Sequence, residues 1–193
     1  EYIWEKVFAY LGKLHREDRM LVPISINVSR LHAYDEKLAE TLIRLREEYD
    51  VPPEYVPLEL TESAFLEDEA GMYRRMESLR ERGFLVSMDD FGTGYSTMNM
   101  LKNQTLDEIK IDREFIRDLE KDKSRIIIRN TIVMLQQLGV HIVIEGVETE
   151  EQKSFLLGCG CTDAQGFLFH RPMPVEAFDA LLLQQECEYD RTK

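Results

Sequence analysis

Much that would assign this chain quickly is absent from it. It has no apolar run near the roughly 20 residues needed to cross a bilayer; Ile126-Ile127-Ile128 and Leu181-Leu182-Leu183 are among its longest. No secretory signal is visible. Only three cysteines occur, Cys159, Cys161 and Cys187. Their spacing fits neither a zinc site nor a thioredoxin-like motif, so they read as reduced, mostly buried thiols of a cytoplasmic protein. His15, His32, His141 and His170 share no ligand spacing either, and they read as structural or surface residues. Positive charge is scarce, with 24 Lys and Arg against 37 Asp and Glu for a formal net charge of −13. That balance repels a polyanion and argues against DNA or RNA polymers as partners. A small phosphate ligand stays open if metal ions mediate its contact with the acids. Linkers, low-complexity tracts and repeats are missing as well.

What remains suits one globular domain: 193 residues, 44% hydrophobic and 32% charged. Ile3, Val7, Tyr10, Leu11 and Leu14 recur at helical spacing, so the chain opens inside or just before an amphipathic helix, without an initiating Met. It reads as a fragment. β-Prone runs follow at 22–28, 57–61, 85–89, 107–112, 141–145 and, more weakly, 162–168. Helical patterns fit 36–49, 67–82, 125–138, 149–157 and 174–187. Gly83 and Gly139 follow two of them as stop signals, and Thr149 with Gln152 makes a capping box.

Such alternation predicts parallel strands with crossover helices. A doubly wound sheet and a (β/α) barrel both satisfy it. The polar residues separate them: Asn27, Glu59, Asp89, Asp90, Lys110, Glu145 and Gln165 each lie at or near the C-terminal end of a predicted strand. A barrel gathers those ends on one face, whereas an open sheet strings them along a line. The expectation is an α/β, TIM-like barrel. The predicted strands are too few for closure, and a complete barrel runs to about 250 residues.

Carboxylates with an amide oxygen are hard ligands suited to Mg²⁺ or Mn²⁺. Any one acid in so acidic a chain reads as a solvated surface charge. Asp89 and Asp90 are different, because two adjacent carboxylates end an apolar run and precede Phe91-Gly92-Thr93-Gly94. Paired carboxylates can hold two metals roughly 3.5–4 Å apart, an arrangement suited to phosphoryl displacement. Lys110 beside such acids can orient a water or neutralise charge developing on a phosphoryl oxygen. Mg²⁺-bound barrels with a lysine base also abstract protons from carbon acids, and this second chemistry stays open on the residues alone.

Six segments, SINVSR (25–30), LELTES (58–63), MDDFGTGYS (88–96), DEIKIDREF (107–115), IEGVET (144–149) and DAQGFLFHRPMP (163–174), together resemble the EAL-domain cyclic di-GMP phosphodiesterases, in the family's order and over nearly the whole chain. The resemblance implies an EAL-type barrel over residues 1–193 that lacks its first two strands here. It also implies hydrolysis of cyclic di-GMP to linear pGpG with two Mg²⁺ or Mn²⁺ ions. By the same resemblance Asn27, Glu59, Asp89, Asp90 and Glu145 are metal ligands, and Lys110, Glu145 and Asp90 are catalytic. Gln165, Glu148, Asp112 and Glu62 bind substrate or support the site, Glu62 by anchoring the Phe91–Gly94 loop. A homodimer fits the family, as does a larger, even membrane-anchored, protein with this domain in the cytoplasm. The Glu-Ala-Leu strand that names the family has no counterpart before Asn27. A receptor that binds cyclic di-GMP without hydrolysing it is therefore the alternative.

Overall fold

The computed structural model describes residues 1–65, 68–92, 101–103 and 106–191. Strand and helix alternate as the pattern predicts: α1 (Tyr2–Arg16), β1 (Ile26–Asn27), α2 (Arg30–Ala33), α3 (Leu38–Tyr49), β2 (Leu58–Thr61), α4 (Glu69–Arg80), β3 (Val86–Phe91), β4 (Glu108–Ile111), α5 (Glu114–Arg117), α6 (Asp122–Gln137), β5 (His141–Ile144), α7 (Glu150–Gly158), β6 (Asp163–Ala164) and α8 (Val175–Arg191). The six strands form one parallel sheet in sequence order, with β1 and β6 at its edges. The two edge strands are shorter than their β-prone runs. Short helices and 3₁₀ turns, such as Pro53–Tyr55 and Glu62–Phe65, fill segments whose patterns are too brief to announce a helix.

Strand periodicity divides the sheet into two unlike faces. One is an apolar layer continuous across neighbours: Ile26 pairs with Leu58 and Leu58 with Val86, while Leu60, Met88, Ile109 and Ile142 are in register from β2 to β5. These side chains are buried, together with Leu42 and Leu45 of α3, Met72 and Met76 of α4 and Ile128 and Ile132 of α6. The other face is polar. Asn27, Glu59, Ser87, Glu108 and His141 follow one another in register across it. Near the strand starts, Ser87 donates to Glu108 (2.8 Å) and the His141 ring bridges Glu108 (3.0 Å) and Asp163 (3.4 Å). His141 is thus a structural residue. The sheet is a TIM-like barrel wall whose inner surface is lined by hydrogen-bonding groups.

Helix ends follow the local signals. Thr149 accepts from the Gln152 amide and the Gln152 side chain answers the Thr149 amide, completing the capping box. Gly139 (φ +73°) and Gly83 (φ +90°) turn the chain out of α6 and α4. The three cysteines are free, with Cys159 and Cys161 buried and Cys187 exposed. No helix among the described residues is long and apolar enough to cross a membrane.

The two terminal helices contact each other. Arg19, just after α1, pairs with Asp179 (2.8 Å) and Glu186 (3.3 Å) of α8, and the Tyr10 hydroxyl donates to Asp179 (3.1 Å). Burial and the Asp179 carboxylate push the Tyr10 phenol up to about 12. At the other end of α1, Trp4 is buried and its indole Nε1 donates to the Asn27 carbonyl (3.0 Å), fixing the helix over β1. Trp4→Phe keeps most of the apolar area and loses that hydrogen bond. It should cost about 1 kcal/mol, against about 3–5 kcal/mol for Trp4→Ala, as read from urea unfolding midpoints.

Candidate active site

Parallel strands bring their C-terminal ends to one rim, and side chains two residues apart share a face. Glu59, Asp89 and Lys110 therefore meet from β2, β3 and β4, joined by Glu145 just beyond β5 and Gln165 just beyond β6. Lys110 Nζ forms an ion pair with Glu59 Oε1 and lies 3.7 Å from Glu145 Oε1. Gln165 Nε2 donates to the same Glu145 oxygen at 2.5 Å. Glu59 and Lys110 are each only 7% exposed. Two buried opposite charges stabilise each other where either alone would be strongly unfavourable.

Asp89 and Asp90 answer a stereochemical problem, since consecutive strand residues normally point to opposite faces. β3 is bulged here. Met88 pairs with Ile109 and Phe91 with Ile111, so one more residue is spent on β3 than on β4 across that interval. Asp90 absorbs the surplus in a left-handed conformation (φ +57°) that Asp tolerates better than most residues. The result brings carboxylate oxygens of Asp89, Asp90 and Glu145 within 4.8 Å of one another. Hard oxygens this close fit a divalent cation such as Mg²⁺ or Mn²⁺.

The electrostatics record the crowding. Burial, then the charges of Glu59 and Asp90, raise the Asp89 carboxyl above its ordinary value. Glu145 is pushed up to about 7, first by burial and then by Asp89, against the lowering effect of Lys110. Burial works against the charged form of Lys110, but the Glu59 hydrogen bond and the surrounding carboxylates outweigh it and leave the ammonium harder to deprotonate than usual. Lys110 is a fixed cation here rather than a free base.

The other expected residues divide. Asn27 is the register partner of Glu59 on β1. Asp112 Oδ1 accepts from the Glu114 amide at 2.8 Å, which caps the turn after β4. Glu148 lines the cavity beside the cluster, while its backbone amide donates to Gln152 (2.7 Å). Glu62 is buried directly after β2. Phe91 is buried at the end of β3, and Gly92 (φ +93°) packs against the Phe115 ring. Thr93 and Gly94 lie outside the described residues. The cavity itself, about 940 Å³, runs from Glu59, Lys110 and Glu145 to apolar side chains of α1 and α8, including Val7, Tyr10 and Phe178. Arg113, Phe167 and Arg171 also line it. These three were not singled out as site residues: each sits in or beside a recognised motif, but at a position whose chemistry depends on what the fold places opposite.

Residues 1–172 match the EAL domain family. The chain belongs to the EAL domain family. Among its relatives is a cyclic di-GMP phosphodiesterase, RocR of Pseudomonas aeruginosa, 35% identical over 158 residues that make up 81% of this chain and 40% of RocR. The chain thus spans well under half of that relative's length. Of solved structures, the EAL domain of Mycobacterium smegmatis DcpA superposes with a TM-score of 0.88 at 32% identity, over 93% of this chain and 82% of that one. The MucR phosphodiesterase in complex with c-di-GMP gives 0.85 at 33% identity, over 92% and 72%. The EAL fold identifies the polar sheet face as the inside of a barrel, and the acid cluster as lying at the C-terminal mouth where such barrels carry chemistry.

The raised Glu145 generates a pH dependence in the metal-free protein. Between its ordinary value of 4.5 and about 7, the folded state holds a proton that the unfolded chain has released. Stability from this group is therefore full below pH 4.5 and is lost as pH rises through 7. The unfolding midpoint of the EDTA-treated protein should fall from pH 5 to pH 8 by more than that of Glu145→Gln. Equal falls would show that Glu145 does not titrate in this window.

Proposed function

We propose that this EAL domain hydrolyses cyclic di-GMP to linear pGpG in the cytoplasm, with Mg²⁺ or Mn²⁺. The reading is carried by the approach of the Asp89, Asp90 and Glu145 oxygens to within 4.8 Å, beside a buried Lys110, at the mouth of the barrel. It is further supported by relatives that bear the name cyclic di-GMP phosphodiesterase, such as RocR.

In this proposal Asn27, Glu59 and Asp89 would hold one cation, and Asp90 with Glu145 would hold the other. Bound divalent cations supply Lewis-acid polarisation of a phosphoryl oxygen and a more acidic water. Water oxygen forms the new P–O bond, the P–O bond to a ribose 3′ oxygen breaks, and that oxygen departs with a proton as the alcohol of pGpG. Lys110 orients the water and offsets negative charge on the phosphoryl group, which its firmly held proton suits it to do. Gln165 fixes the Glu145 carboxylate through the 2.5 Å hydrogen bond. Asp112 steadies the turn that follows Lys110.

A receptor function that binds cyclic di-GMP without turnover is the second reading. We include in the proposal that the barrel of residues 1–193 is incomplete by two strands, and that the domain pairs with a second copy.

Asp89→Asn decides between enzyme and receptor. Conversion of cyclic di-GMP to pGpG, followed by chromatography, should fall at least about 100-fold, in line with loss of a metal-centred transition-state contact. Unchanged turnover would overturn the mechanism, and cyclic di-GMP binding without turnover in the wild type would establish the receptor. Sedimentation velocity should show a dimer at micromolar concentration; a monomer throughout would refute the pairing.

A further inference from the structure

Cations are few in this chain, and most of those around the cavity are engaged. Lys110 is held by Glu59 and Glu145. Lys6 lies 4.9 Å from the centroid of the Tyr2 ring and Arg171 lies 4.3 Å from that of Phe167. Arg113 differs. It lines the cavity with Glu59, Lys110, Glu145 and Gln165, and while its backbone carbonyl accepts from the Ile116 amide (3.1 Å), its guanidinium makes no ion pair, hydrogen bond or ring contact with any of the described residues. Arg113 is exposed at the cavity wall, so in a protein carrying 37 acidic residues its guanidinium is left un-neutralised by the neighbouring carboxylates and accessible to an anion in the cavity.

Its position is built by the fold. Arg113 is the N-cap residue of α5, three positions after Lys110, so the turn capped by Asp112 sets its backbone. Its stem lies on the bare backbone of Gly146, the neighbour of Glu145. A Cβ at Gly146 would come within 2.4 Å of Arg113 Cβ and 3.5 Å of its Cδ. Gly146 also has φ +70°, a conformation that side chains disfavour. The missing side chain at position 146 is the space in which the arginine stem rests.

The chemistry of the visitor follows from charge. A cyclic dinucleotide carries two phosphodiesters, and only one can react at the acid cluster. The other must be accommodated in a cavity that also contains Glu148, whose like charge repels it. A guanidinium presents a planar fork that matches two phosphate oxygens. We propose that Arg113 binds the non-reacting phosphodiester of the cyclic dinucleotide and so selects for a substrate with two phosphates. The proposal rests on the phosphodiesterase or receptor reading above.

The test compares wild type, Arg113→Ala and Arg113→Lys on two phosphodiesters. Cyclic di-GMP has two phosphates, and bis(4-nitrophenyl) phosphate has one. Affinity for cyclic di-GMP is also measured by calorimetry with Ca²⁺ replacing the activating ion. Arg113→Ala should weaken cyclic di-GMP binding and raise KM by about 10- to 100-fold, the loss of a charge-assisted contact. It should leave bis(4-nitrophenyl) phosphate hydrolysis within about twofold and the thermal midpoint unchanged, and Arg113→Lys should recover part of the affinity. Wild-type behaviour of Arg113→Ala on cyclic di-GMP would overturn the assignment while leaving the function intact. Equal losses on both substrates would also overturn it, placing Arg113 at the reacting phosphate or in the scaffold. A wild type that neither binds nor hydrolyses cyclic di-GMP would overturn the function and this inference with it.

Discussion

The ion pair between Lys110 and Glu59 is the contact on which the inner face of this sheet depends. Parallel strands deliver Glu59, Asp89, Asp90 and Glu145 to one rim, and without a cation their mutual repulsion and desolvation would oppose the convergence. Lys110 supplies that cation from the middle of the sheet, at 7% exposure. Its position also limits its chemistry. A lysine surrounded by carboxylates keeps its proton, so it serves as a positioned positive charge, in contrast to the deprotonated lysine base of a carbon-acid enzyme.

The same rim shows how backbone geometry makes room for two neighbouring acids. A regular strand would send Asp89 and Asp90 to opposite faces, one of them into the helix layer. The bulge between Met88 and Phe91 turns both carboxylates toward Glu145. The left-handed φ of Asp90 is a local cost retained at a site where chemistry benefits. The elevated proton affinities of Asp89 and Glu145 are the electrostatic counterpart: the metal-free cluster takes up protons to lower its charge, and a divalent cation would displace them.

Among the described residues β1 and β6 are the edges of the sheet and are not paired with each other. α1 and α8 meet through Arg19, Asp179, Glu186 and Tyr10, leaving between them and the strand ends a cavity that is acidic at one end and apolar at the other. Phe167 and Arg171, which stack on each other at its edge, extend the same mixed character to the segment after β6.

Alternation of β-prone and helical patterns determined an α/β protein with parallel strands, because each periodicity is written locally in which residues are apolar. The clustering of Asn27, Glu59, Asp89, Lys110, Glu145 and Gln165 at strand ends was equally legible, since parallel strands must bring like ends together. The capping box at Thr149 and the glycine stops depend on a few adjacent residues and were legible for that reason. Tertiary structure alone decided the rest. The bulge at Asp89–Asp90 arises from pairing with β4, the proton affinity of Glu145 from burial beside Asp89, and the seat of Arg113 from the absence of a side chain at Gly146, residues apart in the chain and adjacent only after folding. Sequence named the candidate site groups through their types and order, but their charge states and directions belong to neighbours that only the folded sheet provides.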